Sequence, residues 1–395
     1  MALNELTKGQ LPNTEQKLWT ANFILICLSS LCAFVAFHSL LPTLPIYIES
    51  QGGSKGTAGL ALAFLTVAAV TIRPFTGWAL DNYGRKVILA FGLLTFLIPS
   101  LLYISMVGII PLLFFRLIQG FGWGICNTAQ GTVASDIIPH QRLGEGLGLF
   151  SLTISLSLAV SPAIGLWLVD TFSFQHLFIT ASLLIIFSML LALNVKYPKP
   201  AAARTKTKLV FFERRALRPT LIILLMSLTY SSLISFLALF VRQKGMPTTG
   251  LFFMFMAITS IIGRPLSGGL VDRRGRRGYD IVVITGLISI ILAMLVLARV
   301  SSSWHLVVSG TLFGIGFGFL QPTMQALCIS SVPSDRRGAA NATYWTGFDT
   351  GVAIGSIFWG IIANSYGYPT MFNLTIIPPL IALVIYFLKR KPIPA

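Results

Sequence analysis

The chain has 395 residues, of which 55% are hydrophobic and only 10% charged, and it carries a formal net charge of +17. A mean hydropathy of +0.81 excludes a water-soluble globular protein, whose surface carries far more charge than this. Lipid is the solvent such a composition fits.

Apolar stretches of roughly twenty residues, the length that crosses about 30 Å of hydrocarbon as a helix, recur from end to end with short polar breaks. Twelve helices are predicted in chain order, at 18–41, 56–80, 87–107, 110–134, 144–168, 176–195, 219–241, 248–270, 279–298, 304–330, 338–363 and 370–388. Residues 1–17 include Glu5 and Glu15 and lack a basic leader region, and the first span is too long for a cleavable signal, so it is expected to stay as an anchor. Segments on the N-terminal side of the membrane hold 22 Lys and Arg residues, and the opposite side holds four: Lys55, Arg242, Lys244 and Arg299. That asymmetry places both termini in the cytoplasm, as in a multi-pass protein of the plasma (inner) membrane, and accounts for the charge without a nucleic-acid partner.

Cys27, Cys32, Cys126 and Cys328 all fall within predicted spans and show no metal-ligand spacing, so they read as packing residues. No Ser-His-Asp set, His/Cys cluster or nucleotide-binding loop is present. Neither an enzyme nor a bound metal or cofactor is expected.

The chain repeats itself. Residues 73–86, RPFTGWALDNYGRK, match residues 264–277, RPLSGGLVDRRGRR, at one offset of 191 residues. The coincident positions are Arg73/Arg264, Pro74/Pro265, Gly77/Gly268, Asp81/Asp272, Gly84/Gly275, Arg85/Arg276 and Lys86/Arg277. A second match, Pro139/Pro333, Arg142/Arg336 and Gly144/Gly338, follows at an offset of 194. The expected architecture is an all-α membrane protein of twelve transmembrane helices in two pseudo-symmetric six-helix bundles, residues 1–195 and 219–395, joined by a Pro/Ala/Lys/Arg-rich cytoplasmic linker at 196–218. In the repeated loops, glycines permit a tight turn and close helix approach, while Asp81 and Arg85 can form charge-assisted bonds across helix ends. The plainer alternative is that these charges only anchor the loops at the interface.

Several polar residues lie at membrane depth. Arg116, Gln119, Trp123, Asn127 and Gln130 recur at spacings of three and four and share one face of the fourth helix, where a polar stripe is expected to face a cavity. Asp349 lies about 16 Å into the eleventh helix, where a carboxylate anion is costly. It is a candidate for proton coupling or substrate binding, or else a structural hydrogen-bonded acid. His38, just before Pro42-Thr43-Leu44-Pro45, is a second candidate for proton transfer or a satisfied helix-end residue.

The whole chain resembles the major facilitator superfamily, and within it the twelve-helix drug and metabolite efflux proteins. The most specific element is the loop pattern Gly-x-x-x-Asp-(Arg/Lys)-x-Gly-Arg-(Arg/Lys), carried by Gly77, Asp81, Gly84, Arg85 and Lys86 with a departure at Asn82, and matched fully at 268–277. The resemblance implies that these loops, with Arg73, Arg264 and Asp136, form a cytoplasmic gate. It implies a link to proton coupling for Arg116 of the Arg-x-x-Gln-Gly pattern at 116–120. It also implies a cavity lined by helices 1, 4, 7 and 10, which adds Tyr230, Gln321 and Gln325 to the candidates, together with the aromatic Trp345. A degenerate exporter pattern on helix 5, at Gly148, Ser157, Ser161-Pro162 and Gly165, favours export, although small residues at these points also suit plain helix packing.

The expectation is therefore a proton-coupled exporter of small amphipathic organic molecules, with protons, such a substrate and the lipid bilayer as its partners. A proton-coupled nutrient importer and a non-transporting or lipid-handling member of the same fold are the alternatives. Gating is assigned to repeated residues and ion or substrate chemistry to unrepeated ones.

Overall fold

The computed structural model describes residues 17–52, 55–105, 108–197, 211–246 and 249–388, and every regular element among them is helical. The long helices are α1 Ala21–Ser50, α2 Lys55–Tyr83, α3 Arg85–Tyr103, α4 Ile109–Ile137, α5 Leu143–Thr171 and α6 Phe174–Leu193. The second half repeats the series as α7 Leu217–Gln243, α8 Thr249–Arg274, α9 Arg276–Ala298, α10 Ser303–Ser330, α11 Arg337–Leu374 and α12 Ile377–Leu388. Short 3-10 turns at His140–Arg142 and Ser334–Arg336, related by the 194-residue repeat, lead into α5 and α11.

Among the described residues, eleven helical stretches are long and apolar enough to cross a membrane, and the last of them, Ser334–Phe387, is long enough at 54 residues for two crossings. Within α11 the backbone turns at Gly367, whose φ of 79° lies in the left-handed region that glycine enters without strain. Pro369 follows, and the twelfth crossing is completed by α12. The outer surface is apolar to a degree only lipid tolerates: Ile110 is 83% exposed and Ile357 69%.

The main departure from the predicted spans is α1, which continues through Pro42 and Pro45 to Ser50 instead of ending at 41. The two prolines remove the donors to the His38 and Leu41 carbonyls, yet the helix persists where neighbouring helices enclose the segment. Of the expected linker, 198–210 lies outside the described residues. Its last part is docked on the second half: the Glu213 backbone N–H donates to Thr343 Oγ1 (2.9 Å), and its carboxylate pairs with Arg336 (3.0 Å).

Packing follows the repeat. α1 lies on α5 and α6 and α4 on α2 and α3, while α7 lies on α11 and α12 and α10 on α8 and α9. The halves meet along two seams, α2 against α11 and α5 against α8. The repeat exchanges these seams, so one describes the other until individual side chains are compared.

Candidate substrate cavity and gate

At the loop 2–3 face, the end of α2 meets the start of α11. Asp81, 2% exposed, accepts from the first backbone N–H groups of α11, Gly338 and Ala339, both at 3.0 Å. Those amides have no partner inside their own helix, and a carboxylate at a helix N-terminus satisfies them with charge assistance. Arg85 links Asp81 (2.9 Å) to Asp136 at the end of α4 (2.8 Å), and Asp136 also binds Arg337 of α11 (3.1 Å). Arg85 further donates to the Ser334 carbonyl of the opposite half (3.1 Å).

The other seam has the same design with fewer parts. Asp272 of α8 accepts from the backbone N–H groups of Gly144 (3.0 Å) and Glu145 (2.7 Å) at the start of α5. Arg276, the repeat mate of Arg85, is exposed, and Ser330 stands where the repeat would place Asp136's counterpart. Both seams require glycine. A Cβ on Gly338 would lie 2.7 Å from the Gly77 carbonyl, and one on Gly268 would lie 2.3 Å from the Gly144 carbonyl. Gly84 and Gly275, at φ 97° and 50°, make the turns that follow the two aspartates.

Beyond this closed face lies a cavity of ≈ 340 Å³ between the halves. Its wall is largely apolar and rich in aromatic rings, with Phe34, Phe37, Trp123, Tyr230, Phe317, Trp345 and Phe348 in the lining. Leu62 and Ile234, 50% and 47% exposed, line it toward the opposite face. Phe37 and Trp123 stack with ring centroids 3.8 Å apart. His38, Asn127 and Gln321 contribute polar edges, and Arg73 with Asp349 supplies the charge.

Arg73 and Asp349 form an ion pair across the α2/α11 seam. Asp349 Oδ2 accepts from Arg73 Nη2 (2.6 Å) and Nε (3.1 Å), Arg73 Nη1 donates to Thr128 Oγ1 (3.1 Å), and the guanidinium stands 5.6 Å from the Trp345 ring. Placing Arg73 in the gate cluster is thereby corrected. Eight residues before Asp81, it stands about 12 Å along α2 from the gate. Its repeat mate Arg264 is likewise away from the gate, buried beside Phe317 with its Nε 3.4 Å from Ser260 Oγ.

The polar stripe on α4 divides by depth. Trp123 and Asn127 line the cavity, but Gln119 does not: it accepts from Arg116 (2.7 Å) and donates to Ser100 of α3 (3.2 Å). Arg116 is buried at this contact, outside the cavity lining. Gln130 is also moved out of the cavity, donating to Ser29 of α1 (3.4 Å). Gln325 donates to Asn341 of α11 (2.9 Å), nearer the gate, while Gln321, Tyr230 and Trp345 do line the cavity. Periodicity reports the rotation of a side chain about its helix and says nothing of depth, so one face can meet α3, a cavity and α1 in turn.

His38 Nδ1 lies 2.8 Å from Ser157 Oγ, on helix 5. Because that hydroxyl donates to the Ile154 carbonyl (2.8 Å), it accepts from His38, which assigns the proton to Nδ1 and leaves Nε2 as an acceptor. Serine in place of an exporter-pattern glycine thus has a specific contact. Gly148 and Gly165 are close-approach points, where a Cβ would lie 2.5 Å from the Arg264 carbonyl and 2.7 Å from the Ser39 carbonyl. Ser161 is buried, and α5 continues as a helix through Pro162. Sequence reasoning missed Phe34, Phe37, Phe317 and Phe348 as lining residues. Phe34, Phe37 and Leu41 flank His38 at spacings of one, three and four, a signal readable only once His38 is known to face inward.

Two helical bundles around a cavity, closed on one face by reciprocal carboxylate caps, fit a multi-pass membrane transporter of small molecules and not an enzyme. The chain belongs to the major facilitator superfamily, whose family model matches residues 26–282 and 276–395. It is 26% identical over 376 residues to the multi-drug resistance efflux pump PmrA of Streptococcus pneumoniae (strain TIGR4), covering 90% of this chain and 93% of PmrA. Its fold matches the human organic anion transporter MFSD10 (TM-score 0.79, 16% identity, 92% of this chain and 98% of the other). It matches equally a bacterial homologue of the iron transporter ferroportin in an outward-facing state (TM-score 0.79, 14% identity, 92% and 98%). At such identities the two structures speak to the fold alone, and their different cargoes illustrate that the fold does not name the substrate.

Proposed function

We propose that this protein is a proton-coupled exporter of small amphipathic organic compounds, working by alternating access in the plasma (inner) membrane with both termini in the cytoplasm. In that orientation the closed loop 2–3 face is the cytoplasmic gate, and the cavity belongs to an outward-facing state. The likeness to PmrA, named as an efflux pump, supports the direction of transport. The aromatic lining suits a partly apolar cargo.

The observation that carries this reading is the Arg73–Asp349 pair, 2.6 Å across a seam between the halves and at the cavity wall. Protonating Asp349 removes one charge, frees the Arg73 guanidinium and weakens a bond that exists only while these helices are together. A proton arriving from the cavity thereby has different affinities for two conformations, which is the requirement for coupling. His38, whose Nε2 is an available acceptor, is a second proton carrier in the same cavity. Arg116 supports the site indirectly through α3 and α4.

In proteoliposomes, Asp349→Asn is expected to abolish substrate-driven proton movement while substrate binding persists. Coupling at the wild-type level would remove Asp349 from the mechanism. Everted vesicles test direction: an exporter accumulates substrate when the interior is acidified, and an importer does not.

A further inference from the structure

Among the described residues, the middle parts of the helices hold three arginines, Arg73, Arg116 and Arg264, against one acid, Asp349. Arg73 takes the acid, and Arg116 donates to Gln119. Arg264 is left over. It is 0% exposed, its Nε reaches only Ser260 Oγ at 3.4 Å, its Nη1 and Nη2 have no hydrogen-bond partner among the described residues, and the Phe317 ring stands 5.7 Å from the guanidinium. A buried guanidinium with both terminal nitrogens unsatisfied is costly, and arginine keeps its charge where other groups would neutralise.

The repeat explains why these nitrogens lack partners. Arg264 is the mate of Arg73, but the residues that satisfy Arg73 have no counterparts. At the 194-residue offset Ser155 stands where Asp349 would be, and Pro322 stands where Thr128 would be. The cavity wall lies one side chain away, since Phe317 lines it and packs against Tyr230 with ring centroids 5.0 Å apart. Two further unpartnered polar atoms, Trp345 Nε1 and Gln321 Oε1, belong to lining residues of the same cavity.

We propose that Arg264 receives an anionic group, a carboxylate or similar oxyanion, on the transported molecule, whose apolar body occupies the aromatic cavity. The guanidinium fork matches a carboxylate in two-point geometry. The anion takes the place of the acid that the second half lacks, with Phe317 turning aside to admit it. This inference rests on the reading of the cavity as the transport site, and adds the charge class of the cargo.

The test uses the full-length protein in lipid nanodiscs, without a proton gradient, so that failure of coupling and failure of charge recognition are separable. Three probes share one apolar body: 4-biphenylcarboxylate, 4-biphenylcarboxamide and 4-biphenylmethylammonium. Apparent affinities come from the concentration dependence of thermal stabilisation. The carboxylate is expected to bind at least tenfold more tightly than the other two, and Arg264→Gln should erase that preference while leaving amide binding unchanged. Should Arg264→Gln not fold, Arg264→Lys decides. It keeps the charge but loses the fork, so a preference reduced at least threefold supports the assignment and an unreduced one overturns it. Absence of any charge preference in the wild type, whether all probes bind alike or none binds, also overturns it, as does a preference surviving in Arg264→Gln. Exchange of chloride for gluconate separates the sources of the anion. An Arg264-dependent stabilisation by chloride to which the carboxylate adds nothing would reassign the site to an inorganic ion.

Discussion

The two seams share a geometry but not an environment, and neutralising each gate aspartate in turn should separate them. Asp81 and Asp272 each accept two backbone N–H groups from the opposite half, and under the proposed gating these are the bonds that opening must break. Asparagine keeps one acceptor oxygen and turns an amide donor toward the second N–H, so one bond is lost and the other loses its charge assistance. With hydrogen bonds to charged groups worth about 1.5–3 kcal/mol, Asp81→Asn should cost the closed gate about 2.5 kcal/mol, a ~70-fold shift in the closed-to-open ratio. Asp272 is less deeply buried, and water replaces part of what is lost. About 1.5 kcal/mol, or ~10-fold, is expected there. The reporter is Thr66→Cys on the cavity wall, in a background lacking Cys27, Cys32, Cys126 and Cys328. A membrane-impermeant maleimide is added from the side opposite the gate. Labelling should slow in both variants, and more in Asp81→Asn. Unchanged labelling in Asp81→Asn, or a larger effect at Asp272, would refute the assignment of these caps as closed-state contacts.

Other outcomes follow from the same contacts. Gly268→Ala places a methyl group 2.3 Å from the Gly144 carbonyl and should prevent closure of the α5/α8 seam, seen as a larger loss of Thr66→Cys labelling than Asp272→Asn causes. Arg73→Gln leaves Asp349 without its cation and should lower apparent stability by about 3 kcal/mol, within the range for broken buried pairs. The double variant Arg73→Gln/Asp349→Asn should recover most of that loss in thermal unfolding. Additive losses would show that the two side chains do not act as a pair.

Much of the fold was legible because lipid imposes it. A span must be apolar, helical and about twenty residues long, and those demands are written in composition. Where the reading failed, the deciding information was tertiary. Pro42 and Pro45 mark a helix end in water, whereas in α1 the surrounding helices keep the segment helical. Gln119, Gln130 and Gln325 share spacing with cavity residues, but each finds a partner on a neighbouring helix at its own depth. The Asp81 cluster was readable because its residues adjoin in sequence and recur in both halves. The His38–Ser157 contact joins residues 119 apart with no repeat to flag it.

Arg73 and Arg264 show why assigning gating to repeated residues and chemistry to unique ones needed amendment. Both arginines are repeated, and neither sits in the gate. Duplication supplied each half with a cation at the same position on α2 and α8, Arg73 facing the seam with α11 and Arg264 turned toward Phe317 of α10. Only one seam also carries an acid. An arginine in hydrocarbon is expensive enough that an unneeded copy would be expected to disappear, and replacing it by leucine or methionine would lose no hydrogen bond from its Nη1 or Nη2. The asymmetry that matters therefore lies in the partners, Asp349 and Thr128 against Ser155 and Pro322. One arginine is satisfied by the protein itself, through Asp349 and Thr128. The other keeps only its Nε contact to Ser260 and lies one residue from the cavity, which is where the proposed anionic cargo would gain the most.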